Sequence, residues 1–180
     1  MAPPTMAQLP GPIPSGRVSS GTLSFDGHAT VGDFTGVTHT LSGQITGASD
    51  LAGVRGWVEA PVQSLKTGDG KRDKDLNKSM ESKKYPRLRF DLSSVAARAT
   101  GQGGVTVTLH GTFQIHGVTR EVELPGTVEL QGKMTRVRSD FPLNLEDYGI
   151  GGLSKMFGIL KMDEQIEVHV DLTFQLALQG

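Results

Sequence analysis

The sequence predicts an all-β fold: about eight antiparallel strands, each with one apolar face, closed into a barrel or stacked as a sandwich, with one or two short helices in the connections. Three observations carry this. Alternation of apolar and polar residues dominates, most clearly in "VTVTLHGTFQIH" (105–116) and "EQIEVHVDLTFQLAL" (164–178). Gly-rich or polar breaks at 47–53, 67–70, 101–104, 116–119, 125–126 and 147–152 cut the chain into hairpin-sized pieces. Long amphipathic helices between strands, which βαβ units would require, are missing from the pattern.

In chain order, the Pro-rich start "MAPPTMAQLPGPIPSG" (1–16) reads as a flexible tail, without the apolar stretch of a secretory signal peptide, ahead of one domain over 17–180. Apolar residues in strand phase follow at Leu23 and Phe25, at Leu41 and Ile45, from Val54 to Val62, and at Leu88, Phe90 and Leu92. Val105, Val107, Leu109, Phe113 and Ile115 then share one face, opposite His110 and His116. Val122 and Leu124, the run Val137 to Leu145, and Ile166 through Leu178 complete the set. Trp57 and Val58 stand in opposite phase, so one of them faces outward. Two short helices are expected in connections: "KRDKDLNKSM", where Leu76 and Met80 fall at i and i+4, and "GLSKMFGIL", with Leu153, Met156, Phe157 and Leu160 on one face. The His116-Gly117 pair between two alternating runs reads as a hairpin turn, because glycine accepts positive φ at little cost.

The chain has 180 residues, a net charge of −1 and no cysteine, which suits one domain and excludes disulfides and thiolate chemistry. No run approaches the ~18 apolar residues of a membrane-spanning helix. "TGDGKRD" fails as a phosphate loop, since Arg72 follows Lys71 where Ser or Thr is needed. Lys78 and Lys84 stand where a calcium loop needs Gly and Glu. His110 and His116 lie roughly 20 Å apart on an extended strand, too far to share a metal, and with His169 they read as exposed structural histidines. No cofactor is expected.

An eight-stranded barrel either fills with side chains or holds one small ligand. Here the inward faces are apolar, and small residues on them, Gly43, Gly56 and Ala60, leave room. A deep, narrow, apolar hole suits an extended lipid tail.

Residues 64–90, "SLKTGDGKRDKDLNKSMESKKYPRLRF", resemble the signature of the YceI-like family: Ser-x-x-Thr-Gly, an Arg-Asp pair, a Leu, then Tyr-Pro and a strand-opening Phe. "LHGTFQIHGVTREVEL" is similar to the family's hairpin and "VRSDFPLNLEDYGIGG" to its strand and Gly-rich loop, while "GDFTGVTHTLSGQITG" matches more loosely. The blocks cover about 17–176 in the expected order. One departure is Ser79, Met80 and Glu81, where many members carry aromatic residues. The resemblance implies an extended, lipocalin-like antiparallel β-barrel that binds a polyisoprenoid, an isoprenoid quinone or a similar long-chain lipid, often in the bacterial periplasm.

Combining that implication with the inward phase gives a candidate lining of Phe34, Leu41, Val58, Phe90, Leu109 and Phe113, continued by Phe141, Met156, Phe157, Val170 and Phe174. His39 is in phase with Val37 and Leu41 and is expected to turn inward, as a headgroup contact in a carrier or as acid and base in the alternative, a hydrolase or isomerase using the same cavity. Residues 147–161 are expected to form a lid or mouth. The C-terminal strand offers a homodimer contact if part of it lies beyond the barrel wall.

Positive charge is concentrated between Lys66 and Arg89, where nine of the eighteen basic residues stand against four acidic ones, a net of +5, leaving −6 elsewhere. Nucleic-acid binding would need a basic domain with stacking aromatics, which this is not. A solvated connection with local ion pairs is the default. The alternative is a basic rim at the cavity mouth, able to touch an anionic membrane or headgroup. Arg72 and Asp73 are expected to fix the loop.

Overall fold

The computed structural model describes residues 12–29, 32–101, 104–150 and 162–177. The described residues form nine antiparallel strands: β1 (Gly16–Ala29), β2 (Gly32–Thr38), β3 (Ser42–Thr46), β4 (Arg55–Pro61), β5 (Arg87–Gly101), β6 (Gly104–Ile115), β7 (Val118–Gln131), β8 (Met134–Asn144) and β9 (Gln165–Leu176). β9 returns to pair with β1 along Asp26–Gly16 and closes the sheet. β2 and β3 lie in succession on the other edge of β1, at Phe34↔Gly27 and Ile45↔Gly16, so together they form one interrupted stave. The closed barrel therefore has eight staves, as the alternation predicts.

The barrel has two unlike ends. At one lie the β6–β7 hairpin, the paired ends of β1 and β2 at Ala29 and Gly32, and the helix α1 (Gly70–Ser79); at the other lie the β7–β8 hairpin and the start of β1. Asp69 caps α1 by accepting from the backbone N–H of Arg72 (3.1 Å) and Lys71 (2.9 Å), and these bonds, that from Arg72 foremost, pull its carboxyl below the usual value. Asp73, one turn in, accepts from both the N–H (2.8 Å) and hydroxyl (2.7 Å) of Thr67 and so fixes the loop entering the helix. Leu76 and Met80, four residues apart, bring the helix onto the barrel interior. Residues 152–160, the second helical candidate, lie outside the described residues.

Several expectations are corrected. Ile13, assigned to the tail, pairs with Ala48 and is 8% exposed, because Ser15 ties the entering chain to Gly47 and Ala177. The glycines of β3 and β4 do not open space: a Cβ on Gly43 would meet the Trp57 carbonyl at 2.6 Å, and one on Gly56 the Gln44 carbonyl at 2.5 Å, so they permit close backbone approach. Over its described length β9 is bonded to β8 on one edge and to β1 on the other, so its edges are used within the barrel.

Candidate functional site

The barrel interior holds a cavity of about 260 Å³. Every stave contributes to its wall through the phase read from the sequence. Leu23 and Phe25 come from β1, Phe34 from β2, Val58 from β4 and Phe90 from β5. Leu109 and Phe113 of β6, Phe141 of β8, and Val170 and Phe174 of β9 continue it, and Leu41, between β2 and β3, joins them. The rings of Phe90 and Phe113 stand 5.2 Å apart and those of Phe113 and Phe141 5.5 Å, which joins β5, β6 and β8 across the interior. Phe25 meets Phe34 edge-on at 6.0 Å, and the Arg72 guanidinium of α1 sits 4.4 Å over the Phe34 ring. Arg72 thus covers a residue of the cavity wall at the α1 end.

Nine of the twelve candidate residues therefore meet in one cavity. Met156 and Phe157 lie outside the described residues, as does 151–161 of the expected lid. His39 is a correction. It lies exposed on the outer surface, its Nδ1 3.1 Å from Thr22 Oγ1, because the break between β2 and β3 ends the strand phase on which its inward placement rested. The acid-base role given to it in the enzyme alternative loses its geometry.

Trp57 faces out and Val58 in. On the outside, Arg89 stacks on the Trp57 ring at 5.0 Å, bonds Glu59 (2.6 Å) and grips Asp91 through Nε (2.9 Å) and Nη2 (2.9 Å). These partners raise the guanidinium further above its usual value. Arg87 adds a bond to Glu59 at 3.2 Å. Part of the basic stretch is thereby neutralised on the barrel's outer face, as the default reading expects.

Sequence reasoning missed the junction around His116. Its side chain is only 12% exposed, unlike the exposed histidine expected. Nδ1 lies 3.0 Å from the Tyr148 carbonyl, which can only accept, so Nδ1 carries a proton; Nε2 faces Glu81 at 2.5 Å. Tyr85 packs edge-on against the imidazole at 5.2 Å, and a Cβ on Gly117 would strike that tyrosine at 2.5 Å. Glycine at the turn, with φ of 74°, serves both backbone and contact. Tyr85, His116-Gly117 and Tyr148 come from three separate motifs, and their co-occurrence was the available signal.

Histidines on the outside pair with carboxylates of neighbouring strands: His28 with Asp33 (2.9 Å), His110 with Glu123 (3.2 Å), and His169 with both Asp140 (2.6 Å) and Asp26 (2.8 Å). Among the described residues no cluster has the make-up of a metal site.

The YceI-like domain model matches residues 18–174. The chain belongs to the YceI-like domain family. A UPF0312 protein of Pseudomonas putida strain W619 is 30% identical over 148 residues, covering 78% of this chain and 72% of that relative. Among solved structures, this YceI-like barrel is similar to a polyisoprenoid binding domain from Saccharophagus degradans implicated in plant cell wall breakdown, with a TM-score of 0.74, 15% identity, and coverage of 92% of this chain and 99% of that one. BcnA of Burkholderia cenocepacia gives a TM-score of 0.70 at 19% identity, covering 85% and 95%. At these identities the likeness establishes the fold alone.

Proposed function

We propose that this YceI-like protein binds one long-chain amphiphilic lipid, a polyisoprenoid or isoprenoid quinone, within the barrel and carries or sequesters it without changing it chemically. The observation that carries this reading is the cavity of about 260 Å³ whose wall is apolar along all eight staves. A barrel made only for stability would fill that space, since empty apolar volume forfeits contacts. The family membership and the fold shared with a polyisoprenoid binding domain support the same ligand class. An extracytoplasmic location accords with it, and the basic 66–89 segment is then a contact for an anionic membrane during loading. Native mass spectrometry with lipid extraction of the purified protein tests the reading: a bound prenyl lipid recovered unchanged is expected, and a protein that neither retains nor takes up prenyl lipids overturns it.

A further inference from the structure

Thr135 is the second residue of β8, in register with Leu130 of β7 and Phe174 of β9, and it shares the inward face with Val137 and Ser139. The residue is 6% exposed, and its Oγ1 is buried with no hydrogen-bond partner among the described residues. Ser139, further along the same face, is different: its hydroxyl donates to the Pro125 carbonyl at 2.5 Å. Leaving a buried hydroxyl unpaired is costly, and native interiors rarely do it. Valine has the same shape as threonine and would serve a wall that only had to be apolar.

We propose that the Thr135 hydroxyl pairs with an uncharged oxygen of the bound lipid, so that the ligand's oxygenated end lies at the barrel end opposite α1 and its tail runs toward Phe141 and Leu76. This rests on the carrier reading above and sharpens its ligand class. The oxygen is uncharged because the described wall turns no ionised side chain inward. Arg89 and Glu59 border the cavity, but their charged groups bond each other outside. An anionic headgroup at Thr135 would be an unpaired charge in apolar surroundings. A hydroxyl, carbonyl or ester oxygen needs only the one partner that Thr135 supplies, since threonine both donates and accepts. From Thr135 to Leu143 the strand runs roughly 26 Å at ~3.3 Å per residue, room for an extended tail beyond the oxygen. A second wall hydroxyl without a partner among the described residues, Ser79 Oγ at the end of α1, lies at the opposite end and provides a control.

The test is equilibrium binding of geranylgeraniol, geranylgeranyl phosphate and the matching hydrocarbon without oxygen, to the wild type and to Thr135→Val. The alcohol is expected to weaken about tenfold in Thr135→Val, the scale of one lost hydrogen bond in a dry site, and the hydrocarbon to stay within about twofold. The phosphate is expected to bind more weakly than the alcohol to the wild type. Thr135→Ser and Thr135→Ala provide a second pair, in which alcohol binding follows the hydroxyl. Equal effects on alcohol and hydrocarbon, selective loss in Ser79→Ala instead, or preference for the phosphate would overturn the assignment while leaving the carrier reading standing. Failure of the wild type to bind any of the three overturns the carrier reading itself.

Discussion

Glu81 and His116 have positive φ, at 48° and 55°, alone among the described non-glycine residues, and they are bonded to each other, Oε2 to Nε2 at 2.5 Å. Each strained turn holds the other's side chain in place. The pair joins the segment after α1 to the β6–β7 hairpin, and through Nδ1 to the chain after β8. His116→Ala is expected to destabilise the fold by about 2 kcal/mol, because the Tyr148 carbonyl and the Glu81 carboxylate both lose a partner. His116→Asn, which tolerates the left-handed backbone, should cost about half of that. Urea denaturation midpoints measure both, and equal midpoints for wild type and His116→Ala would refute the junction.

Filling the cavity should abolish lipid uptake without unfolding the barrel. Val58 is half-buried on the wall, facing Phe90 across the β4–β5 ladder. Val58→Phe is expected to reduce prenyl-lipid affinity at least about tenfold at a stability cost of about 1–3 kcal/mol. Circular dichroism alongside a binding isotherm separates the two effects, and unchanged affinity in a folded variant would place the ligand elsewhere.

Emptying the wall works in the other direction. Phe141 is 5% exposed and stacks on Phe113. Phe141→Ala should cost about 3 kcal/mol, at the low end for such a truncation because the ring already borders open space. Thermal melting with and without bound lipid checks this, and added lipid should recover part of the loss.

Stability should depend on pH through His169. Donating a hydrogen bond to Asp140, and then one to Asp26, raises the imidazole above its ordinary 6.5, and the same His169 contact lowers Asp26 below its ordinary 3.8. A raised histidine stabilises fully below its unfolded value and loses that contribution as pH climbs through the folded one; a lowered aspartate stabilises above its unfolded value and loses it as pH falls. The seam joining β8, β9 and β1 is therefore strongest between about pH 4 and pH 6.5 and weakens above. His28, raised by Asp33, adds to the same slope, so the comparison is with His169→Gln. That variant should show a shallower fall in denaturation midpoint from pH 6 to pH 8; a parallel fall would exclude His169.

Arg89→Ala is expected to alter the fluorescence of Trp57, the chain's single tryptophan, and to cost about 1–2 kcal/mol, since Glu59, 15% exposed, loses its nearest cation. Lipid affinity should be unchanged, because this network lies outside the barrel. A matching loss of affinity would mean that the two faces communicate.

The strands and the faces they bury are legible along the chain, since a period of two is written in residues such as Val105, Val107 and Leu109 and needs no distant partner to be seen. So is the position of α1, through Leu76 and Met80 four residues apart. That β2 and β3 are one stave broken at His39, which turns that histidine outward, emerges from the closed barrel alone. The same holds for Trp57, which belongs outside where Arg89 covers it, and for His116, a buried junction. Those outcomes depend on which distant residues become neighbours, and alternation along one strand carries no information about what lies across from its ends. Thr135 shows the same division: its inward phase is legible, but that its hydroxyl has no partner among the described residues follows only from the packing of β7, β8 and β9 around it.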